Sequence, residues 1–172
     1  MAIPTNATGR IADAFISELE LEMPPTRRLL ERVPSEKGAW KPHPRSFSLG
    51  HLAQLVARMP GWTAMTLRHT ALDLGSAPPY SQERTETLLA EFDRCVKDAR
   101  EALQQAKDED FAVPWSLKMG ERVLMTMPRM AVMRQNINHL SHHRGQLTVY
   151  LRLNNVPVPA IYGPSADDQR FL

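Results

Sequence analysis

The chain has 172 residues, of which 42% are hydrophobic and 23% are charged. This composition is typical of one folded domain and unlike that of a disordered chain. The net charge of +2, from 21 basic and 19 acidic side chains, argues against a nucleic-acid-binding protein, because phosphate neutralisation needs clustered lysine and arginine. The sequence shows neither a signal-peptide pattern nor an apolar run long enough to span a bilayer. We therefore expect a single cytoplasmic domain over residues 1–172, with no membrane partner.

The first predicted helix runs from about Gly9 to Val33. Apolar residues recur at helical spacing as far as Met23, and the pattern resumes at Arg27. The Pro24-Pro25 pair lies between these two parts, and proline has no backbone N–H to donate. We therefore expect a kink or a break at this pair.

The second predicted helix runs from Ser48 to about Ala71, after an irregular stretch over Pro34–Phe47. Either Ser46 or Ser48 can cap its N-terminus, because serine accepts hydrogen bonds from the free N–H groups of a first turn. Pro60 and Gly61 should bend the helix midway.

Two further helices are predicted over Ser81–Lys107 and Arg129–Leu153, the first preceded by an irregular stretch over Leu72–Tyr80. The segment Asp108–Met127 separates the two helices, and within it Lys118–Glu121 can turn a short β-hairpin. The only cysteine, Cys95, lies in the third helix, where no histidine is placed to activate it. We predict that it is a small buried apolar residue.

The segment after Asn155 carries Pro157, Pro159 and Pro164 and cannot be helical throughout. Four long amphipathic helices without a clear long strand predict an all-α fold. The architecture expected is a four-helix bundle with long irregular connections and an irregular C-terminal tail.

Three of the six histidines lie in one segment, NINHLSHHRGQLTVYLR, residues 136–152. His139 and His143 are four residues apart, so they lie one turn apart on the same side of the fourth helix. This spacing lets two imidazoles bind one cation, whereas His142 points about 100° away. Asn136 lies one turn before His139 and can hydrogen-bond a ligand there. The alternative is that both histidines bond to neighbouring helices or to water.

A metal site built on this pair needs a third ligand, and His51 at the start of the second helix is the best placed. His43 lies in a loop held by prolines, and His69 lies near the far end of the second helix, where we expect solvent. The sequence therefore predicts a divalent metal site formed by His51, His139 and His143. Zinc or nickel suits such nitrogen ligands.

Two stretches of the chain resemble the DinB-like (YfiT-like) family of four-helix-bundle proteins. WKPHPRSFSLGHLAQLVARMPGW, over Trp40–Trp62, resembles the start of helix two in that family. INHLSHHRGQLTVYLRLNNVPVPAIYGPSADD, over Ile137–Asp168, resembles the last helix and the tail. The resemblance implies an up-down-down-up bundle, frequent homodimers, and a divalent metal held by three histidines. Two of these come from the last helix, where His139 and His143 match, and one comes from helix two.

The sequence departs from the family pattern at the helix-two histidine. That residue normally stands in a pattern like L-A-x-H-V-A, but here the stretch Leu52–Ala57 reads LAQLVA, so Leu55 takes the ligand place. His51 lies one turn earlier, about 6 Å along the helix axis. Either His51 substitutes, or the site is weakened or lost.

Three functions fit these observations. The resemblance implies an enzyme, a metal-dependent thiol transferase or hydrolase acting on a small molecule, because a metal ion can acidify a bound thiol or water. The alternatives are a non-catalytic bundle that binds a metal or a small molecule, and a degenerate member whose histidines are structural in a dimer. No catalytic residue or general base is identified. We expect a homodimer, with the segment MPGWTAM, Met59–Met65, facing the partner.

Overall fold

The computed structural model describes residues 9–76, 79–81 and 83–170. These residues form a mostly helical fold with five α-helices and a small three-stranded sheet, so the prediction of a purely all-α bundle was wrong. The helices are α1 (Ile11–Leu30), α2 (Leu49–Arg58), α3 (Gly61–Arg68), α4 (Thr85–Gln105) and α5 (Arg129–Leu153). The strands are β1 (Ala71–Asp73), β2 (Pro114–Met119) and β3 (Arg122–Pro128). Residues 77 and 78 of the expected irregular stretch lie outside the described residues.

Helix α1 passes through Pro24 and Pro25 without a break. The buried Thr26 donates its hydroxyl proton to the carbonyl of Glu22 over 2.7 Å. The same carbonyl accepts a second hydrogen bond, of 3.1 Å, from the guanidinium of Arg144. A helical proline costs about 3 kcal/mol locally, and here burial and these side-chain bonds outweigh that penalty. The predicted break was therefore wrong.

The predicted second helix is two helices, α2 and α3, which meet at Pro60 and Gly61. Ser48 caps α2, because its Oγ accepts the N–H of His51 over 3.3 Å. Gly61 brings α3 close to α4, and a Cβ at this position would lie 3.0 Å from the Sγ of Cys95. Cys95 is 5% exposed, which confirms its predicted burial.

The segment Met59–Met65 contributes to the interior of the protein. Met59 is 2% exposed and Ala64 is 3% exposed, whereas Trp62 and Met65 are partly exposed, so the contact of this segment with a partner stays a prediction. Several apolar side chains on α1, β3 and α5 are more exposed: Leu21, Val123, Leu124, Val149 and Leu153.

The predicted hairpin is confirmed, and it belongs to a larger sheet. Strand β2 pairs antiparallel with β3 and parallel with β1. Gly120 occupies the hairpin turn at a φ of 58°, a backbone conformation that favours glycine. The Asp73 carboxylate accepts the N–H groups of Gly120, at 2.9 Å, and of Gly75, at 2.8 Å. These bonds lower the pKa of Asp73 and tie the end of β1 to the hairpin turn.

The helices enclose one apolar core, and α5 has the bounds that the sequence predicted. Among the described residues, no helix combines the length and the apolarity that crossing a membrane requires. Large buried apolar side chains come from α1, α2, α4 and α5: Leu29, Leu52, Leu88, Phe92, Leu103, Met133 and Leu147. Phe111 joins them from the segment between α4 and β2.

The tail that follows α5 is irregular, as predicted, and hydrogen bonds hold it in place. Asp167 accepts the N–H of Val158 over 2.9 Å and forms an ion pair with Arg152 on α5. Asp168 accepts the N–H of Ala160 over 3.2 Å. The two adjacent carboxylates therefore fold the tail back toward the last helix.

Candidate functional site

Helix α5 brings His139 and His143 together, as the four-residue spacing predicts. Their Nε2 atoms lie 2.8 Å apart, and their ring centroids are separated by 4.5 Å. His143 is only 7% exposed, whereas His139 reaches solvent. The two imidazoles thus direct one nitrogen each toward a common point at the edge of the core.

Gln146, which the sequence analysis did not single out, orients His143. Its amide oxygen lies 2.8 Å from Nδ1 of His143, and its amide nitrogen lies 3.0 Å from Nε2 of His142. An amide oxygen can only accept, so Nδ1 of His143 carries the proton and Nε2 presents a lone pair. Metal-binding histidines are commonly oriented by such a contact. Gln146 follows His143 by three residues, and residues i and i+3 are neighbours on a helix. This spacing could have predicted the contact between the two side chains.

Both histidines of the pair are held toward the neutral form. Partial burial lowers the pKa of His139, and the neighbouring charges of His143 and His142 lower it further. Burial also lowers the pKa of His143, and the charge of His142 lowers it further. The hydrogen bond to Gln146 acts in the opposite direction and raises this pKa. Neutral imidazole is the form that coordinates a metal.

His51 lies in the first turn of α2 between two aromatic rings. Its ring stacks on Phe47 at a centroid distance of 4.2 Å and on Tyr80 at 4.1 Å. The Phe47 ring is also 6.3 Å from the ring of His143. Burial lowers the pKa of His51, and the charges of His143 and Lys41 contribute. Phe47 is therefore a neighbour of both His51 and His143, and the stack of rings holds His51.

The structure brings two of the three predicted ligands together and leaves His51 apart from them. Within residues 9–76, 79–81 and 83–170, no three His, Cys, Asp or Glu side chains are grouped so that they could hold a metal ion. Leu55, one turn after His51 on α2, is 6% exposed and belongs to the core. The histidines not chosen as ligands are exposed: His43, His69 and His142.

A cavity of about 260 Å³ opens beside His139, between α3, α5 and the sheet. Asn136, predicted to lie near the histidine pair, lines this cavity together with His139. The ring of Trp62 in the wall is 5.7 Å from the ring of His139. The sequence could not reveal the cavity, because its walls meet only in the folded chain. Apolar side chains make up most of the wall, among them Met65, Leu72, Trp115, Leu117, Met125 and Val132.

The model of the DinB family matches residues 13–170 of the chain. The chain belongs to the DinB family. This result confirms the resemblance carried by Trp40–Trp62 and Ile137–Asp168. The uncharacterized protein YrdA of Bacillus subtilis is 27% identical to this DinB-family protein over 161 residues, which are 91% of this chain and 90% of that protein.

Solved structures of DinB-like proteins share the fold of this DinB-family protein. One from Bacillus cereus is similar with a TM-score of 0.69 at 22% identity, covering 87% of this chain and 97% of that chain. The DinB-like protein YjoA of Bacillus subtilis is similar with a TM-score of 0.65 at 18% identity, covering 83% and 92%. At these identities the likeness establishes the fold alone.

In this DinB-family protein the residue after His143 is a buried arginine. Arg144 is 1% exposed and forms an ion pair with Glu22 on α1. Its guanidinium also donates to Oγ1 of Thr26 over 2.8 Å and to the hydroxyl of Tyr162 in the tail. The Tyr162 hydroxyl in turn donates to Glu22. We call these four residues the Arg144 cluster; it joins α1, α5 and the tail at the helical turn that carries His143.

Proposed function

We propose that this DinB-family protein holds a divalent metal ion, zinc or nickel, through His51, His139 and His143. The proposed activity is that of a metal-dependent thiol transferase or hydrolase acting on a small molecule. The observation that carries the proposal is the convergence of the His139 and His143 Nε2 atoms, with Gln146 keeping His143 in the coordinating tautomer. A metal ion bound there would acidify a thiol or a water molecule.

The histidine pair fits two ligand positions after a small adjustment. Two nitrogens at about 2.0–2.1 Å from a tetrahedral zinc ion lie roughly 3.3 Å apart, so the present separation of 2.8 Å must widen slightly. In the hydrogen bond between the two rings, His139 supplies the Nε2 proton because Nδ1 of His143 already carries one. His139 must therefore change tautomer to coordinate, and its exposure to solvent permits this exchange.

His51 is the proposed third ligand, and it is linked to the pair through Phe47, whose ring lies 4.2 Å from the ring of His51 and 6.3 Å from that of His143. To coordinate, its ring must slide out of the stack formed by Phe47 and Tyr80. Three histidine ligands would leave coordination positions open for a substrate, as catalytic zinc sites require.

Calorimetric titration of Zn²⁺ and Ni²⁺ into chelator-treated protein tests the proposal. We expect the unmodified protein to bind one metal ion per chain. His143→Ala should weaken binding at least tenfold, or about 1.4 kcal/mol. His69→Ala is the matched control, because this exposed histidine lies outside the pair, and its metal affinity should be unchanged.

Two further variants identify the third ligand. If His51 coordinates, His51→Ala abolishes binding and Leu55→His restores it in that background. If the site is preformed but lacks a ligand, Leu55→His alone tightens binding tenfold or more, about 1.4 kcal/mol, and His51→Ala has no effect. The absence of metal binding in both the unmodified protein and Leu55→His would overturn the metal proposal.

A non-catalytic bundle that binds a small molecule without metal is the second function that we consider. The burial of Leu55 in the core favours it, as does the absence of a three-residue metal group in the part of the chain that the structure describes. The two functions differ in one measurable property: only the first loses ligand turnover when a chelator removes the metal.

A further inference from the structure

We infer that the cavity beside His139 takes the apolar part of the substrate, an uncharged aryl or alkyl group about the size of one substituted ring. The polar, reacting end of the same molecule lies at the mouth of the cavity, beside Asn136 and His139. The inference names a substrate class for the site proposed above and rests on that proposal for the reaction. Binding of the apolar group requires no metal, so it can be tested separately.

The buried part of the cavity wall presents carbon atoms. Three residues of the wall are buried, namely Thr66, Trp115 and Val132. Oγ1 of Thr66 and Nε1 of Trp115 each have less than 1 Å² of accessible surface, so both polar atoms face away from the cavity. The side chains of all three residues therefore line the cavity with carbon.

The amide and imidazole side chains of the wall lie at its mouth. Gln135 and His139 are exposed and Asn136 is half-buried, and all three come from one stretch of α5. None of the described residues in the lining is Asp, Glu, Lys or Arg, and an unpaired charge is costly to bury. The cavity therefore favours a molecule with one apolar end, which enters, and one polar end, which stays beside His139.

Water is a poor occupant of the inner part of this cavity. A buried water needs about two to four polar partners, and an engineered apolar cavity of about 150 Å³ in another protein stays dry and accepts benzene. The cavity here has about 260 Å³, which is enough for a ring with a short substituent. Met65 and Met125 are half-buried in the wall, and methionine side chains adapt to the shape of a neighbour. An apolar group that enters here leaves water without displacing hydrogen bonds, so its transfer is favourable.

Two carboxylates of nearly the same shape test the inference. 4-Isopropylbenzoate has one charged end and one apolar end, whereas terephthalate carries a carboxylate at both ends. Either compound can leave one carboxylate at the mouth, but terephthalate must also bury the other. We expect 4-isopropylbenzoate to bind the chelator-treated full chain at least about tenfold more tightly, because burying the second charge is unfavourable.

The three tryptophans of the chain report where the compound binds. Trp62 and Trp115 line the cavity, whereas Trp40 packs against Tyr150. In nitrogen–proton correlation spectra, 4-isopropylbenzoate should shift the indole N–H signals of Trp62 and Trp115. The signal of Trp40, which Trp40→Phe assigns, should stay in place.

Filling the cavity should abolish this binding. Val132→Phe places a ring in the enclosed part of the cavity and should leave no room for 4-isopropylbenzoate. Val123→Phe is the matched control and should keep the affinity of the unmodified protein, because Val123 is 52% exposed on β3 and lies outside the lining. If Val132→Phe does not fold, Leu117→Phe should have the same effect from a half-buried position of β2.

Equal affinity for the two carboxylates in the unmodified protein would overturn the inference. So would the absence of binding at millimolar concentration, a shift confined to Trp40, or binding that survives in a filled variant that folds. Because every titration is made without metal, these outcomes are independent of the metal titrations. Metal binding without the preference would remove the substrate class alone, and the preference without metal binding would remove the metal alone.

Discussion

At the scale of single residues, the site depends on how α5 orients its polar side chains. Gln146 places the proton of His143 on Nδ1, and partial burial holds both imidazoles of the pair toward the neutral form. The same burial has a thermodynamic cost at low pH, because the unfolded chain binds protons at these positions more readily than the folded protein.

The metal-free protein should lose stability as the pH falls below the ordinary histidine pKa of 6.5. His51 and His143 have folded-state pKa values below that number, so the unfolded state takes up protons first. The contribution of these histidines to the free energy of unfolding is therefore fully present above about pH 7. It declines as the pH falls toward their folded-state pKa values. Urea unfolding at several pH values measures the slope of the unfolding free energy against pH.

His143→Gln should make this dependence on pH shallower, because it removes a group whose pKa burial lowers in the folded protein. His69→Gln is the control, because its exposed ring should leave the slope unchanged. A slope that is the same in the unmodified protein and in His143→Gln would show that His143 does not produce the acid sensitivity.

At the scale of elements, the approach of α3 to α4 depends on Gly61. A Cβ at this position would lie 3.0 Å from Sγ and 3.4 Å from Cβ of Cys95. Gly61→Ala should therefore lower the free energy of unfolding by about 1–3 kcal/mol, the usual cost of overpacking. The loss should be smaller in a Cys95→Ala background, where Sγ is absent, and a double-mutant cycle by urea unfolding measures the difference.

Gly145 on α5 provides a control, because replacing it by alanine should change the free energy of unfolding in the opposite direction. A Cβ there meets no other atom within 4 Å, and alanine favours a helix interior over glycine by up to about 1 kcal/mol. Gly145→Ala should therefore stabilise the protein. If Gly61→Ala also stabilises it, the helices are less closely packed than the Cys95 contact indicates.

The elements show what sequence patterns could and could not predict. The period of α5 and the glycine turn at Gly120 are local signals, and both predictions were confirmed. A hydrogen bond from Arg144, which is far away in the sequence, helps to keep α1 unbroken. An argument from the two prolines alone therefore predicted a break that the helix does not have. Strand β1 is only three residues long and forms because β2 lies beside it. The cavity and the stacking of His51 likewise arise from contacts between distant segments.

At the scale of the whole molecule, the surface bears on the homodimer that the family resemblance implies. Val149 is 55% exposed and Leu153 is 56% exposed, one turn apart on α5. Val123 on β3 is 52% exposed. Exposed apolar side chains on one helical face are a common feature of interfaces. We therefore expect α5 to contribute to subunit contact.

Multi-angle light scattering should report about twice the chain mass of 19.5 kDa. Replacing both Val149 and Leu153 by glutamate should shift the mass to that of one chain, because like charges would face one another across the interface. Val123→Glu is the control for a general effect of surface charge and should leave the dimer intact. A monomer at high micromolar concentration in the unmodified protein would contradict the dimer.

The Arg144 cluster has a consequence for the order in which the chain acquires its structure during synthesis. Arg144 and Glu22 are separated by 122 positions, and Tyr162 follows 18 positions after Arg144. A ribosome therefore releases α1 long before it has made the guanidinium that pairs with the Glu22 carboxylate. The first helix can pack on α4 before its contacts with α5 form, and chain segments so far apart join slowly. Since His143 precedes Arg144 directly, a working histidine pair is a late product of folding, and ligand binding would report a fully folded chain.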